Sequence, residues 1–262
     1  MAKKRLGNQN QQIDIEKAKA FFINDFRSVK ARGFIPSSRK HNTGVGKTFE
    51  DVMNVKENNL QSADYKGCIE FKAQRGDTDS MLTLFSKSPS FPKGANKLLR
   101  DHYGSLDPET GYNKLHTTIQ FSSYNTFQDK WGFKLDINEE DCRIEIKIKN
   151  LSNNKLEDTL IYYTFDALKK IVVKKCRLIA YIATETRERN GKEEFYFKHA
   201  KLLTNMTWEK FIECLKQDII KYDIRIGAYR SGKNKGKIHD HGSGFRILKE
   251  SISREFDVEE ID

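Results

Sequence analysis

The chain has 262 residues, 37% of them hydrophobic and 11% aromatic, with 16 Gly and 4 Pro; that is enough apolar material for a buried core and excludes disordered or collagen-like chains. At about 150 residues per domain it makes one large domain or two small ones. A formal net charge of +10, from 47 Lys and Arg against 37 Asp and Glu, points to an anionic partner.

In chain order, Asp14 reads as an N-cap, and Ile15, Ala18, Phe22 and Phe26 fall near helical spacing, which predicts an amphipathic helix over 14–26. Residues 33–48 read as loop, and 48–53 as a short helix with Phe49, Val52 and Met53 inward. Residues 67–75 alternate, with Ile69, Phe71 and Ala73 on one face of a strand and Glu70 and Lys72 on the other. All four prolines (Pro36, Pro89, Pro92, Pro108) lie in the first 108 residues, so the first part is the loopier. From about residue 117 strands dominate: 142–149 alternates as a half-exposed strand, and 178–183 is continuously apolar, as a central strand would be. Helices are predicted over 166–175 and 207–219, the latter with Trp208, Phe211, Ile212, Leu215 and Ile219 on one stripe. The pattern is mixed α/β in two lobes.

No stretch approaches the roughly 18 uninterrupted apolar residues of a membrane span, and the start is basic and amide-rich with no apolar signal core. The expectation is a soluble, cytoplasmic protein with no membrane partner. Cys68, Cys142, Cys176 and Cys214 stand singly, with no C-x-x-C pair, and are expected to be buried small hydrophobes in a reducing compartment.

The positive charge is clustered. Residues 1–50 carry 11 basic and 4 acidic side chains, residues 221–249 carry 8 and 2, and residues 101–220 balance at zero. Two basic blocks in a neutral framework suit a polyanion, because clustered Lys and Arg release condensed counterions from phosphates.

The chemistry concentrates near residue 70. Glu70 and Lys72 project from one face of a strand, and Asp64 lies in the turn before it. Two carboxylates offer hard oxygen ligands for Mg²⁺, and a neighbouring amine can hold the water that attacks a phosphodiester. Alone, D-x5-E-x-K is a weak signal in so charged a chain, where an ordinary solvent-facing strand would look the same.

The surrounding sequence strengthens it. Residues 33–58 (GFIPSSRKHNTGVGKTFEDVMNVKEN), 82–104 (LTLFSKSPSFPKGANKLLRDHYG) and 223–247 (DIRIGAYRSGKNKGKIHDHGSGFRI) resemble the MvaI/BcnI family of type II restriction endonucleases and its MvaI branch in particular. That family is related to the mismatch-repair nickase MutH and shares the PD-(D/E)xK nuclease core. The resemblance spans about residues 30–249 and implies an α/β fold: a restriction-endonuclease-like mixed sheet flanked by helices, with two lobes forming a DNA-binding cleft. The expected division is a catalytic lobe over 1–120 and a DNA-recognition lobe over 121–262.

Residue by residue, the resemblance implies that Asp64, Glu70 and Lys72 are the catalytic triplet, that Asp64 and Glu70 ligate Mg²⁺, and that Glu50 supports the site from the preceding helix. An exposed helix acid is an equal reading of Glu50. In the second basic block Asp223, Arg225, His239, Asp240, His241 and Arg246 match the segment that meets base edges in the major groove, where Arg pairs bidentately with guanine; Arg230, also expected to contact DNA, departs from the family's smaller polar residue near the reading loop. Lys233, Lys235 and Lys237 look like phosphate contacts that hold register. Ala63 stands where the motif's name has Pro, and the Asp64-to-Glu70 spacing asks the turn to bulge at Gly67. The resemblance further implies double-stranded DNA as substrate, a CCWGG-like site, action as a monomer that nicks each strand in turn, and a cognate methyltransferase in the host.

Other readings are weaker. Asn42–Thr48 (NTGVGKT) ends like a phosphate-binding loop, but that motif needs Gly at the position of His41. His239-Asp240-His241 offers metal ligands, yet only six histidines are present in the chain. A MutH-like strand-nicking enzyme and a non-catalytic DNA-binding relative complete the alternatives; the second would have no use for Asp64, Glu70 and Lys72 together.

Overall fold

The computed structural model describes residues 2–39, 43–55, 63–76 and 80–262, with side chains from residue 15 onward. Two compact units divide the chain, each built from separate stretches. One comprises Met1–Ser80, Val173–Thr207 and Ser253–Asp262; the other comprises Met81–Val172 and Trp208–Ile252. This is not the single cut near residue 120 that the sequence suggests. The strand Glu70–Arg75 pairs in parallel with the strand Leu178–Arg189, Glu70 opposite Ile179 and Lys72 opposite Tyr181. Parallel neighbours need a crossover connection, and most of the other unit is inserted into it.

In the first unit Leu178–Arg189 lies between Glu70–Arg75 and the antiparallel strand Lys192–Thr204, whose far edge is taken by Ile35–Pro36 and by Asp257–Ile261. The continuous apolar run over 178–183 is thus a central strand, as its composition implies. One face of the sheet buries Phe71, Ala180, Ile182, Phe195, Phe197, Ala200 and Leu202 against Ala18, Phe22, Phe26, Val29 and Phe49. Each such large apolar side chain contributes about 1.5–3 kcal/mol on burial.

The first helix runs Ala2–Lys30, so Asp14 lies within it and is not its N-cap. The amide-rich, basic stretch ahead of residue 14 is made largely of good helix formers, and propensity carries the helix back. The second helix is Gly44–Val52 and buries Val45, Thr48 and Phe49, so it starts within the stretch read as loop. Gly44 is needed there for close approach: a Cβ at this position would sit 2.4 Å from the Arg39 carbonyl oxygen.

The second unit is antiparallel throughout. One sheet runs Leu82–Ser86, Gly244–Ile247, Ile220–Ala228, Tyr112–Ile119, Ser105–Asp107, with Ile238–Asp240 added to Ile220–Ala228. Another pairs Trp131–Asn138 with Arg143–Asn150, which is joined by Lys155–Leu156 and Tyr162–Thr164. In Arg143–Asn150 the isoleucines 144, 146 and 148 are buried while Lys147 and Lys149 reach outward, the half-exposed strand its alternation predicts. The predicted helices appear as Phe165–Lys175, within which the division between the units falls, and Trp208–Lys216.

All four cysteines are free; Cys176 and Cys214 are buried, but Cys68 is half-buried and Cys142 exposed, which corrects the expectation for those two. Cys142 occupies a turn with φ 51° ahead of its strand. Among the described residues no helix is long and apolar enough to cross a membrane.

Candidate functional site

Core packing fixes the direction of the charged side chains near residue 70. Because Phe71 and Ala73 face the helices, the period of two turns Glu70 and Lys72 to the opposite face of the sheet. Glu70 is only 4% exposed. Its Oε1 accepts a hydrogen bond from Lys72 Nζ at 2.9 Å, and its Oε2 accepts one from Lys175 Nζ at 2.8 Å. Asp64 is tied to the same strand, since its Oδ2 accepts from the Phe71 backbone N–H at 2.9 Å.

The turn carrying Asp64 is held at both ends. Ala63 bridges Gly67 and Tyr65 bridges Ile69, and Lys66 (φ 50°) and Gly67 (φ 70°) are both left-handed, which is the bulge the spacing requires. The Tyr65 ring stacks 5.6 Å from Phe71, and its hydroxyl donates to Asp25 Oδ2 at 2.5 Å.

Burial, and then the like charge of Glu70, raise the Asp64 carboxyl above the ordinary carboxylate range, against the Phe71 N–H that favours its ionised form. Burial likewise pushes the neighbouring Cys176 thiol up to about 12, leaving it inert as a nucleophile.

Glu50 sits on Gly44–Val52 beside Phe49, whose ring packs 4.9 Å from Phe71. Among the described residues no three His, Cys, Asp or Glu side chains gather to hold a metal, so Glu50 does not complete a three-acid cluster. The candidate ligands are the pair Asp64 and Glu70. Asp64 and Glu70, near enough for the charge of one to act on the other, are hard oxygen donors that fit a small cation keeping most of its waters. Lys175 is absent from the sequence reading; its only sequence signal is a basic helix end.

The sequence-predicted recognition residues gather in the second unit around the strand Ile220–Ala228. Asp223, 5% exposed, is the shared counter-charge of two arginines: Arg225 Nε donates to its Oδ2 at 3.0 Å, and Arg246 Nε lies 3.0 Å from the same oxygen. Thr118, on the adjacent strand, donates to its Oδ1. Arg225 is half-exposed and Arg246 largely buried; burial lowers the Arg246 pKa from its ordinary value.

Alongside runs a line of rings. Tyr229 stacks on His239 at 4.0 Å and 12°, His239 lies 4.0 Å from His241, and His241 lies 5.9 Å from His116. Burial lowers the pKa of both His116 and His241, with Lys114 and Arg225 adding to the first and His239 and His116 to the second. Asp240 is occupied in shaping the chain: it accepts from Asn96 Nδ2 at 2.7 Å and from the N–H groups of Gly242 and Ser243 at 3.0 and 2.6 Å. Arg230 pairs with Glu109 at the surface, and Lys233, Lys235 and Lys237 are exposed around the turn Gly232–Asn234. His116, Thr118 and Tyr229 were not singled out from sequence; the first two enter because strand pairing brings Tyr112–Ile119 beside Ile220–Ala228, and Tyr229 because Ile238–Asp240 pairs back onto the end of that strand.

Residues 23–256 match the MvaI/BcnI restriction endonuclease family. The chain belongs to that family. Among solved structures it resembles the restriction endonuclease MvaI in complex with its cognate DNA substrate, at 36% identity and TM-score 0.86 over 93% of this chain and 98% of that one. It also resembles MvaI in the absence of DNA, at 35% identity and TM-score 0.58 over 92% and 96% of the two chains. No curated protein gives a significant match. Family membership makes this α/β chain a site-specific deoxyribonuclease and agrees with the resemblance read from residues 33–58, 82–104 and 223–247.

Proposed function

We propose that the chain is a Mg²⁺-dependent type II restriction endonuclease that hydrolyses both strands of duplex DNA at a short CCWGG-like site, working as a monomer that nicks one strand and then the other. The observation that carries the reading is the buried Glu70 clasped by Lys72 at 2.9 Å, with Asp64 bound to the same strand. In this reading the unit containing that cluster cuts, and the unit containing Asp223 reads.

Asp64 and Glu70 would hold the cation, with Glu50 supporting them from the neighbouring helix. Bound Mg²⁺ would supply Lewis acidity to the scissile phosphate and make a coordinated water easier to deprotonate. Lys72 holds the attacking water at its Nζ and aligns it with the phosphorus, its own position fixed by Glu70. Arg225 and Arg246, oriented by Asp223, donate to guanine edges; His239 and His241 meet neighbouring base edges. Asp240 and Arg230 shape the rim of this surface, and Lys233, Lys235 and Lys237 contact phosphates without reading sequence. A cognate methyltransferase protects the host's own copies of the site.

Incubation of the protein with plasmid DNA and Mg²⁺, followed by sequencing of the fragment ends, tests this. The proposal predicts ends that share one short motif and a nicked circle that precedes the linear form. Random ends would contradict the specificity, and a stable nicked product that never becomes linear would instead support a strand-nicking enzyme.

A further inference from the structure

Both oxygens of the Glu70 carboxylate are engaged by ammonium groups, yet the two lysines are not equivalent. Lys72 stands two residues along the same strand and shares its face. Lys175 comes from a separate segment, as the last residue of the helix Phe165–Lys175, and reaches Glu70 Oε2 at 2.8 Å through a four-carbon stem with 23% of its side chain exposed. A basic residue at a helix C-terminus is ordinary, because it offsets the dipole at the surface. A basic residue there that turns in to a nearly buried carboxylate, beside a second carboxylate at Asp64, does something more.

We propose that Lys175 is a positioning residue that stands in for the divalent cation: its ammonium neutralises Glu70 and holds its carboxylate in place while the site is empty, and it gives up Oε2 when the cation enters. This rests on the nuclease reading of the same site. A cation ligated by Glu70 at Oε2 would stand beside the ammonium already bound there, and two positive charges at one oxygen repel strongly in a partly buried site. Lys72, confined to the catalytic face, keeps Oε1. Lys175, on its flexible and part-exposed stem, is free to swing outward. Cys176, fully buried next to it, anchors the backbone at the end of the helix, so release of the side chain leaves the fold intact. Lys175 therefore competes with the metal and steadies the metal-free protein.

The test uses the full-length, DNA-free protein with Mn²⁺ as probe, the free ion being followed by electron paramagnetic resonance, together with thermal unfolding in EDTA and in saturating Mn²⁺. Lys175→Met should bind Mn²⁺ about tenfold more tightly than the wild type, as expected from removal of one competing like charge, and Lys175→Arg should stay close to the wild type. In EDTA Lys175→Met should melt at a lower temperature, and saturating Mn²⁺ should close most of that gap. Equal or weaker Mn²⁺ affinity in Lys175→Met would overturn the proposal, as would a melting gap that Mn²⁺ leaves unchanged. If Lys175→Met does not fold, Lys175→Gln, which also removes the charge, is read by the same criteria. Plasmid cleavage by the wild type with Mg²⁺ separates the two levels. Cutting with unchanged Mn²⁺ affinity in the variant overturns this inference alone, whereas no cutting by the wild type overturns the nuclease reading beneath it.

Discussion

The two units solve one electrostatic problem with different side chains. In each, one buried carboxylate, Glu70 at 4% exposure and Asp223 at 5%, carries two cations. Around Glu70 the cations are lysines, and another carboxylate, Asp64, stands near with its pKa raised by burial and then by the charge of Glu70. Around Asp223 they are arginines, and the remaining partner is the Thr118 hydroxyl. Lysine is a mobile point charge suited to holding a water or yielding to a metal, whereas the guanidinium is a rigid fork whose donors match a guanine edge. The first cluster balances two carboxylates with two ammonium groups, whereas the second carries one positive charge in excess, which suits an anionic partner.

Substitutions in both units test that contrast. The largest effect on stability is expected from Asp223→Ala, which strips the counter-charge from the largely buried Arg246 and from the half-exposed Arg225; a loss of about 3 kcal/mol in chemical denaturation is predicted. A near-neutral result would mean that the two arginines are held by something other than Asp223. Next, Arg225→Ala should cost about 1–3 kcal/mol of binding and relax base choice at one position, while Lys233→Ala, Lys235→Ala or Lys237→Ala should weaken binding uniformly and reduce the salt slope by about one each. Binding to a panel of sequences at several salt concentrations separates the two classes, and uniform weakening by Arg225→Ala would make it a phosphate contact.

The smallest effect concerns Asp64. Its folded pKa lies above the unfolded value of about 3.9, so the folded protein holds that proton longer than the unfolded chain does. Stability is therefore lost as pH rises from the unfolded value through the raised one. Asp64→Asn removes that burden: in EDTA at pH 7 it should raise the melting temperature by about 2–4 °C per kcal/mol relieved, with no gain near pH 3. A lower melting temperature at pH 7 would show that the Phe71 N–H bond outweighs the burial and the repulsion.

Much of the proposed catalytic cluster was legible in the sequence because it is local: Asp64, Glu70 and Lys72 lie within nine residues, and strand alternation alone orients the last two. Lys175 was not, because the contact that gives it meaning spans 105 residues and depends on a parallel pairing that alternation cannot reveal. The same holds in the other unit, where His116 and Thr118 join the recognition residues only through strand register. The chain's division was misread for a related reason. A composition shift near residue 120 marks where strands become frequent, whereas the units are set by which strands pair. At the first helix capping chemistry misled, since a side chain suited to an N-cap also tolerates a helix interior; at the second, glycines suggested loop, whereas Gly44 opens the helix where the Arg39 carbonyl comes close.

In the proposed mechanism Asp64, Glu70 and Lys72 together break phosphodiester bonds in DNA that another part of the chain selects. The most direct measurement compares single-turnover cleavage and equilibrium binding of one plasmid-derived duplex by the wild type, Asp64→Ala, Glu70→Ala and Lys72→Ala. Cleavage lost in all three variants, with specific binding retained, is the predicted result. Near wild-type cleavage by any of them would contradict the account.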